Sequence, residues 1–136
     1  MSEPLTGSCL CGAVHFTAPG DTIFAGHCQC PSCRKTSATG HSSAIAVPEP
    51  GSKVTGPVTL YKRVIENGNE VTRAFCPTCG AQVYSKSTGL PGVLILRASL
   101  LDDQSRFQPQ MVIYAKDAAP WDHIDPALAR FQTMPG

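Results

Sequence analysis

The amino-acid sequence predicts a mostly β domain of antiparallel strands with one or two short helices. Its 136 residues suit one hydrophobic core, so we expect a single domain over residues 1–136. Twelve glycines and twelve prolines favour many turns and short strands over long helices. Apolar residues make up 42% of the chain, which is typical of a globular domain rather than a disordered one.

The first part of the chain is predicted to contain three strands and one short helix. Alternation of apolar and polar residues predicts a strand over 12–18 with one face in water. A second strand over 22–28 is followed by a helix over 31–37, where Pro31 in the first turn costs no hydrogen bond. A third strand is expected over 41–47 and ends at a Pro-Glu-Pro-Gly run.

The middle of the chain carries a hairpin signal. Strand-like runs at 58–65 and 70–75 flank the tetrapeptide 66–69, whose Asn-Gly pair tolerates the positive φ angles of a tight turn. Further strands are expected over 81–85, 93–98 and 111–114. These short elements complete the predicted antiparallel fold.

The C-terminal segment is predicted to form a short closing helix over 125–131. Asp125 is a favourable N-cap, and Pro126 suits the first helical position. Trp121 precedes this segment and is interpreted as an anchor that packs the tail onto the core. Asp102 and Asp103, earlier in the chain, are interpreted as a solvated turn because no nucleophile accompanies them.

The charge balance argues against nucleic-acid and membrane partners. Eleven Lys and Arg residues against ten Asp and Glu give a formal net charge of +1, with no basic block. The longest strongly apolar run, 93–96, is far too short to span a bilayer, and residues 1–5 do not resemble a secretory leader. We therefore expect a cytoplasmic protein that binds neither nucleic acid nor membranes.

Seven cysteines are the most informative feature of the sequence. They fall into three groups: Cys9 and Cys11; Cys28, Cys30 and Cys33; Cys76 and Cys79. In a reducing compartment, an odd number of clustered cysteines favours metal ligation over a disulfide framework. A structural zinc site takes four ligands, whereas a catalytic site usually takes three protein ligands and keeps one position open. Seven thiols suit one site of each kind.

The most economical grouping forms two zinc sites. It places Cys9, Cys11, Cys76 and Cys79 around a structural zinc and leaves Cys28, Cys30 and Cys33 for a second zinc. The spacing of Cys76 and Cys79 is that of a metal-binding knuckle, and Gly80 after it can adopt the positive φ of a tight exit. A rival grouping combines Cys30 and Cys33 with Cys76 and Cys79 as a zinc ribbon. Iron is also compatible with four thiolates.

The histidines are weaker candidates for metal ligands. His27 precedes Cys28, so in a strand its side chain points to the opposite face, and we expect it to play a supporting polar role. His41 follows the predicted helix and is a possible further ligand of the second ion. His15 and His123 are expected at the surface.

Three motifs resemble those of a known family. They are GSCLCG at 7–12, HCQCPSCRK at 27–35 and FCPTCG at 75–80, with PW and LARF in the tail. On these residues the chain is similar to the glutathione-dependent formaldehyde-activating enzymes, a family that also includes centromere protein V. The resemblance implies a β-tent fold, in which small antiparallel sheets meet around the four-cysteine structural zinc. It further implies that Cys28, Cys30 and Cys33 hold a zinc that takes part in catalysis.

The activity implied by the resemblance is of the carbon–sulfur lyase type: condensation of glutathione with formaldehyde to S-hydroxymethylglutathione. We expect Arg34, Lys35 and Arg73 to supply positive charge for this anionic tripeptide. Gln29 departs from the family pattern, in which many members have a histidine. Two alternatives stay open: a non-catalytic, zinc-stabilised binding domain, and a redox or metal sensor that uses the three-cysteine group.

Overall fold

A computed structural model describes residues 3–135, and short strands dominate it. This part of the chain forms eleven strands, one α-helix and three 3-10 helices. The strands are β1 (Leu5–Ser8), β2 (His15–Ala18), β3 (Phe24–Cys28), β4 (Ser42–Pro48), β5 (Lys53–Thr55), β6 (Thr59–Val64), β7 (Glu70–Phe75), β8 (Gln82–Ser87), β9 (Val93–Arg97), β10 (Met111–Ile113) and β11 (Ala129–Arg130). Helix α1 spans Pro31–Ser37, and the 3-10 helices span Ala98–Leu100, Gln104–Arg106 and Ala115–Asp117. The predicted mostly β fold is confirmed.

The strands form two sheets. β1, β2 and β5 form a three-stranded antiparallel sheet. The second sheet has eight strands in the order β11-β10-β3-β4-β9-β8-β7-β6. Its pairs are antiparallel except that β10 runs parallel to both β3 and β11. The expectation of purely antiparallel pairing is wrong at this edge, because β10 joins β3 through a long connection instead of a hairpin.

The large sheet has one apolar and one partly polar face. The apolar face packs in a core with the small sheet, where Leu5 and Phe16 meet Ile45, Leu94 and Leu96. All five residues are buried, and each side chain contributes about 1.5–3 kcal/mol when it leaves water. The opposite face of the large sheet carries polar residues and lines a cavity.

A glycine allows the small sheet to approach the core closely. A Cβ atom at Gly7 would lie 2.4 Å from the carbonyl oxygen of Leu100 and 2.4 Å from the ring of Phe16. Any side chain there would displace β1, because these distances are far shorter than van der Waals contact. Gly7 therefore helps to hold Cys9, two residues later, near the large sheet.

Most predicted elements are present with slightly different ends. The eight predicted strands correspond to β2, β3, β4, β6, β7, β8, β9 and β10, and the predicted helix is α1. The hairpin between β6 and β7 is confirmed: Gly68 has φ +86, and its amide donates to the carbonyl oxygen of Ile65 at 2.9 Å. β1, β5 and β11 were not expected from the sequence.

The predicted closing helix is wrong. Strand Ala129–Arg130 pairs with β10, and the amide of Phe131 donates to a β10 carbonyl at 2.9 Å. Asp125 forms a turn instead of a helix cap, because its carboxylate accepts from the amide of Ala127 at 2.9 Å. The backbone hydrogen bonds of this segment are thus satisfied by the sheet. Trp121 is 65% exposed, so its predicted packing role is also wrong.

Two other features concern the surface. Asp102 accepts a hydrogen bond from the hydroxyl of Thr6, and Asp103 accepts one from the amide of Ser105, so the predicted exposed turn is confirmed. No helix among residues 3–135 is long and apolar enough to cross a membrane.

Candidate metal centre

Four cysteines meet where the two sheets join. Cys9 and Cys11 follow β1, whereas Cys76 and Cys79 lie in the turn between β7 and β8. Their Sγ atoms all lie within 4.8 Å of one another. This separation suits four thiolates around one ion, for which a Zn–S distance of about 2.3 Å is usual. We call these four residues the joint cluster.

The two turns of the joint cluster are built alike. The amide of Gly12 donates to the carbonyl oxygen of Cys9 at 3.2 Å, and the amide of Gly80 donates to that of Cys76 at 2.8 Å. Both glycines adopt positive φ angles, +82 and +78. Residues with a Cβ are strained in this conformation, so glycine favours the tight exit from each turn. The two turns thereby direct both pairs of thiols towards one common site.

Backbone amides donate hydrogen bonds to two sulfur atoms of the joint cluster. Cys9 and Cys76 are buried. The amide of Val14 donates to Cys9 Sγ at 3.3 Å, and the amide of Cys79 donates to Cys76 Sγ at 3.5 Å. Backbone hydrogen bonds, the largest from Ala81, lower the pKa of the Cys79 thiol to about 6, whereas burial and contacts with the other three cysteines raise the pKa of the Cys11 thiol to about 11. Four sulfur ligands with amide donors fit a soft metal ion such as zinc.

The other three cysteines form a second group. Cys28 is the last residue of β3, Cys30 is the N-cap of α1, and Cys33 lies within α1. Their Sγ atoms also lie within 4.8 Å of one another, and we call them the pocket cluster. Hydrogen bonds from Cys28 and Cys30 lower the pKa of the Cys33 thiol to about 2, while contacts with Cys30 and Cys33 raise that of Cys28. Negative charge in the cluster therefore concentrates on Cys33.

The two clusters match the most economical grouping of the sequence. Among residues 3–135, the groups that could hold a metal ion are these two. The rival zinc ribbon, which takes two cysteines from each cluster, does not form, because β7 and α1 lie in different parts of the fold. All seven cysteines are free thiols.

The pocket cluster opens on a cavity of about 930 Å³. The floor of this cavity is the face of the large sheet that points away from the core. In the large sheet, Cys28 lies directly opposite Ser42, and Arg73 lies directly opposite Ser85. Residues directly opposite each other in antiparallel strands share a face of the sheet. Arg97 lies on the same face, because its partner on β4 is two residues from Ser42. The cysteines and both arginines therefore line one cavity.

Two arginines of this floor are almost completely buried. Arg73 is 6% exposed and Arg97 is 8% exposed. Nη2 of Arg97 donates to Ser85 Oγ at 3.2 Å. Burial lowers the pKa of Arg97, and the thiolate of Cys33 opposes this effect. Arg73 was a candidate from the sequence, whereas Arg97 was not. The only sequence signal for Arg97 is its position as a charged residue at the end of the buried strand β9.

The other two predicted cations do not line the cavity. Nε of Arg34 donates to the carbonyl oxygen of Gln29 at 3.3 Å. This hydrogen bond stabilises the backbone between Cys28 and Cys30. Lys35 follows it on α1 and is also absent from the cavity wall. The expectation that Arg34 and Lys35 contribute charge is therefore wrong for the wall of this cavity.

A polar network lies on the core side of the sheet, behind the pocket cluster. Asp122 accepts hydrogen bonds from Nε2 of Gln29 at 2.9 Å and from Nδ1 of His41 at 3.0 Å. Nδ1 of His27 lies 2.9 Å from Ser43 Oγ, and its ring contacts that of His41 edge to face. Burial lowers the pKa of His27 to about 4, with the charge of His41 as the second cause. His27 is therefore neutral at pH 7.

The histidines support the site without joining a cysteine cluster. His27 points to the core side, as predicted. The possible approach of His41 to the second ion is wrong, because its ring is held by Asp122 and belongs to neither metal-binding group. Asp122 was not a candidate from the sequence, because it lies 81 residues from His41 and carries no local signal. His15 and His123 are exposed, as expected; His123 lines a smaller cavity of about 540 Å³.

The fold and the site define a class: a mostly β protein with one four-thiol and one three-thiol group that could each hold a metal ion. A family model described as "Glutathione-dependent formaldehyde-activating enzyme" matches residues 4–117. The chain therefore belongs to this family. No curated protein matches the sequence.

A solved structure is similar in fold. It is the crystal structure of a Rhodobacter sphaeroides protein, a Northeast Structural Genomics target, with a TM-score of 0.60 and 18% sequence identity. The similarity covers 93% of this chain and 98% of the other. The two proteins thus share an architecture over nearly their full lengths.

Proposed function

We propose that this protein is a zinc-dependent enzyme of the carbon–sulfur lyase type, which condenses glutathione or another small thiol with formaldehyde. The pocket cluster carries the proposal: three thiols open on a cavity of about 930 Å³ that also contains two buried arginines. Family membership supports the reaction. The condensation forms one carbon–sulfur bond and breaks the carbonyl π bond and the S–H bond, and the proton lost from the thiol is balanced by one gained at the former aldehyde oxygen.

The donor chemistry of both clusters fits zinc, and we propose two ions per chain. The joint cluster would hold a structural ion with four thiolates, whereas the pocket cluster would provide three and leave a position open. Zinc bound by Cys28, Cys30 and Cys33 would supply Lewis acidity and an attachment point for a substrate thiolate.

The residues of the cavity floor would favour the thiolate form of the substrate. Arg73 and Arg97 place two buried positive charges on this face. Positive charge lowers the pKa of a nearby thiol, because it stabilises the anion. Apolar side chains of Ile95, Met111 and Ile113 also line the cavity. They lower the local dielectric and thereby strengthen this attraction.

The joint cluster would serve the fold instead of the reaction. Its Cys11 and Cys76 are 65 residues apart, so a metal ion there connects distant segments from the two sheets. Structural zinc contributes on the order of 10 kcal/mol or more in small zinc-binding peptides. That is comparable to the whole stability of an ordinary domain. We place the protein in the cytoplasm, where its seven free thiols stay reduced.

Nuclear magnetic resonance with ¹³C-formaldehyde and glutathione tests the proposed reaction. The zinc-loaded protein is expected to form S-hydroxymethylglutathione faster than the uncatalysed mixture. Cys33→Ser should lose this acceleration, whereas Ser99→Ala, an exposed position outside the cavity wall, should retain it. Equal rates with and without the parent protein would contradict the proposal.

Cobalt-substituted protein provides a second test that does not depend on turnover. Glutathione is expected to change the visible spectrum of cobalt at the pocket cluster, because a further thiolate would enter the coordination sphere. The Cys33→Ser variant should show no such change. An unchanged parent spectrum at millimolar glutathione would count against direct binding of the thiol at this site.

A further inference from the structure

Among residues 3–135, β6 is the longest strand at the edge of a sheet. It ends the eight-stranded sheet, so the outer side of its backbone pairs with no other strand in this part of the chain. β6 has six residues, whereas β11, at the opposite edge of the same sheet, has two. The edge strands of the small sheet, β1 and β5, have four and three residues. A long unpaired edge is a template for a further strand, so proteins usually shorten or cover it.

The side chains of β6 are exposed as well as its backbone. All six residues of the strand are exposed, although Leu60, Tyr61 and Val64 are large and apolar. Three of the seven large apolar residues that are exposed among residues 3–135 thus lie on this one short strand. Exposed apolar residues that lie together are typical of a surface that another chain covers.

The hydrogen bonds of the hairpin determine which backbone groups of β6 face outward. The amide of Ile65 donates to the carbonyl oxygen of Asn69 at 2.9 Å, so Ile65 faces β7. Backbone groups point to alternate sides along a strand, so those of Leu60, Lys62 and Val64 point to the open edge. None of these residues is proline, and each therefore offers both a donor and an acceptor to a neighbouring strand.

The charged residues of β6 select one register for pairing with a second copy of the chain. In a symmetric antiparallel pair, a two-fold axis at Lys62 or at Arg63 would place two like charges directly opposite each other, which is unfavourable. An axis at Tyr61 avoids both clashes and places Thr59 opposite the partner's Arg63. It also places Leu60 opposite the partner's Lys62, and the backbone groups of both residues face the edge, as pairing requires.

We propose that the chain forms a symmetric dimer in which the β6 strands of two copies pair about Tyr61 and join the two large sheets. This inference does not depend on the proposed reaction. A self-complementary interface about a two-fold axis is the commonest form of association between identical chains. The open backbone groups and the apolar residues that the second copy would cover supply the attraction.

The dimer would bring a side chain of the partner to the rim of the large cavity. Tyr61 lies opposite Arg73 on β7, so it is on the face of the sheet that lines this cavity. In the register about Tyr61, the partner's Tyr61 lies diagonal to Arg63, which is part of the cavity wall. An arginine beside an aromatic ring is a favourable pair. Each copy would thereby extend the rim of the other copy's cavity.

Sedimentation velocity of the zinc-loaded protein tests the dimer. The parent is expected to shift from 14.4 kDa to twice this mass as its concentration rises. Leu60→Lys should weaken dimerisation roughly 10-fold or more, because it places like charges opposite each other at two symmetric positions. Leu60→Glu should stay within about threefold of the parent, because its carboxylate would face the partner's Lys62. If both variants dimerise equally weakly, the proposed register is overturned.

Ile23→Lys is the matched control. Ile23 is 52% exposed and Leu60 is 49% exposed, but Ile23 lies outside β6. The control adds the same charge at another surface and should leave dimerisation within about twofold of the parent. Equal weakening by Ile23→Lys and Leu60→Lys would overturn the β6 interface in favour of unspecific association. A parent that stays monomeric throughout the concentration series would also overturn it.

A second pair of variants tests backbone pairing itself. Lys62→Pro removes an amide that faces outward and leaves the hydrogen bonds to β7 in place. It should weaken dimerisation roughly 10-fold or more, whereas Lys62→Ala keeps the amide and should dimerise like the parent. Equal dimerisation of the proline and alanine variants would overturn strand pairing. Because mass is measured without substrate, these results are independent of the condensation assay.

Discussion

The two cysteine clusters use the same ligand atom in different structural settings. The joint cluster takes its thiols from two turns that belong to different sheets, and two of its members are buried. The pocket cluster takes its thiols from one short stretch at the end of β3 and the start of α1, beside a cavity. A metal ion in the joint cluster would connect distant segments of the chain. A metal ion in the pocket cluster would add little stability, because its ligands already lie close together in one local turn. The joint cluster is therefore suited to stabilising the fold, and the pocket cluster is suited to binding a ligand.

Cys76→Ser should have the largest effect of any single change, because it removes a completely buried ligand of the joint cluster. We expect loss of the structural ion and of most of the folded state, with a cost of about 10 kcal/mol by analogy with zinc-binding peptides. Circular dichroism and thermal unfolding measure this outcome. Cys30→Ser is the matched variant in the pocket cluster and should stay folded. Similar unfolding of both variants would remove the distinction between the clusters.

Chelation should empty the clusters in two separate steps. The pocket cluster offers three thiols and faces a cavity, so its ion should leave first and without loss of secondary structure. The joint cluster should release its ion only as the protein unfolds. A chromogenic chelator combined with circular dichroism follows both events. A single release step that coincides with unfolding would contradict this order.

Asp122→Ala should have an intermediate effect confined to the pocket cluster. Its carboxylate binds Gln29, between Cys28 and Cys30, and also holds His41. Loss of these partners should cost about 1–3 kcal/mol of unfolding free energy, and release of the pocket ion should accelerate. Denaturant unfolding and metal-release kinetics test this.

Asp125→Ala is the control for that experiment. Asp125 is exposed, and its carboxylate bonds only within its own turn. We expect the metal-release rate to stay at the parent value. If Asp122→Ala releases its pocket ion no faster than Asp125→Ala does, the polar network does not support the cysteine loop.

Leu10→Ser should have the smallest effect, although Leu10 lies between two ligands of the joint cluster. Its side chain is 88% exposed and therefore contributes little to the core. The change in unfolding free energy should stay within about 0.5 kcal/mol. Calorimetry measures it. A large loss of stability would contradict this expectation. It would show that the joint cluster requires the exposed side chain at the tip of the turn in addition to its thiols and glycine.

Local sequence signals account for much of the site. Cysteine spacing favoured the two clusters over the ribbon grouping without excluding it, and Pro31 and the Asn-Gly pair located α1 and the main hairpin. These signals succeed because each depends on residues close together in the chain.

Long-range contacts account for what the sequence did not reveal. The parallel pairing of β10 with β3, the contact of Asp122 with His41 and the alignment of Arg97 with Arg73 all join distant segments. The cap signal at Asp125 was misleading for the same reason, because sheet hydrogen bonds from a remote strand overrode a local helix preference.

Zinc content per chain tests the central claim most directly. Elemental analysis of protein purified without chelator or added metal should find two ions in the parent and one in a folded Cys30→Ser variant. This result would support one ion in each cluster and a fold that depends on the joint cluster alone. One ion in both proteins would contradict the account, because the pocket cluster would then hold no zinc.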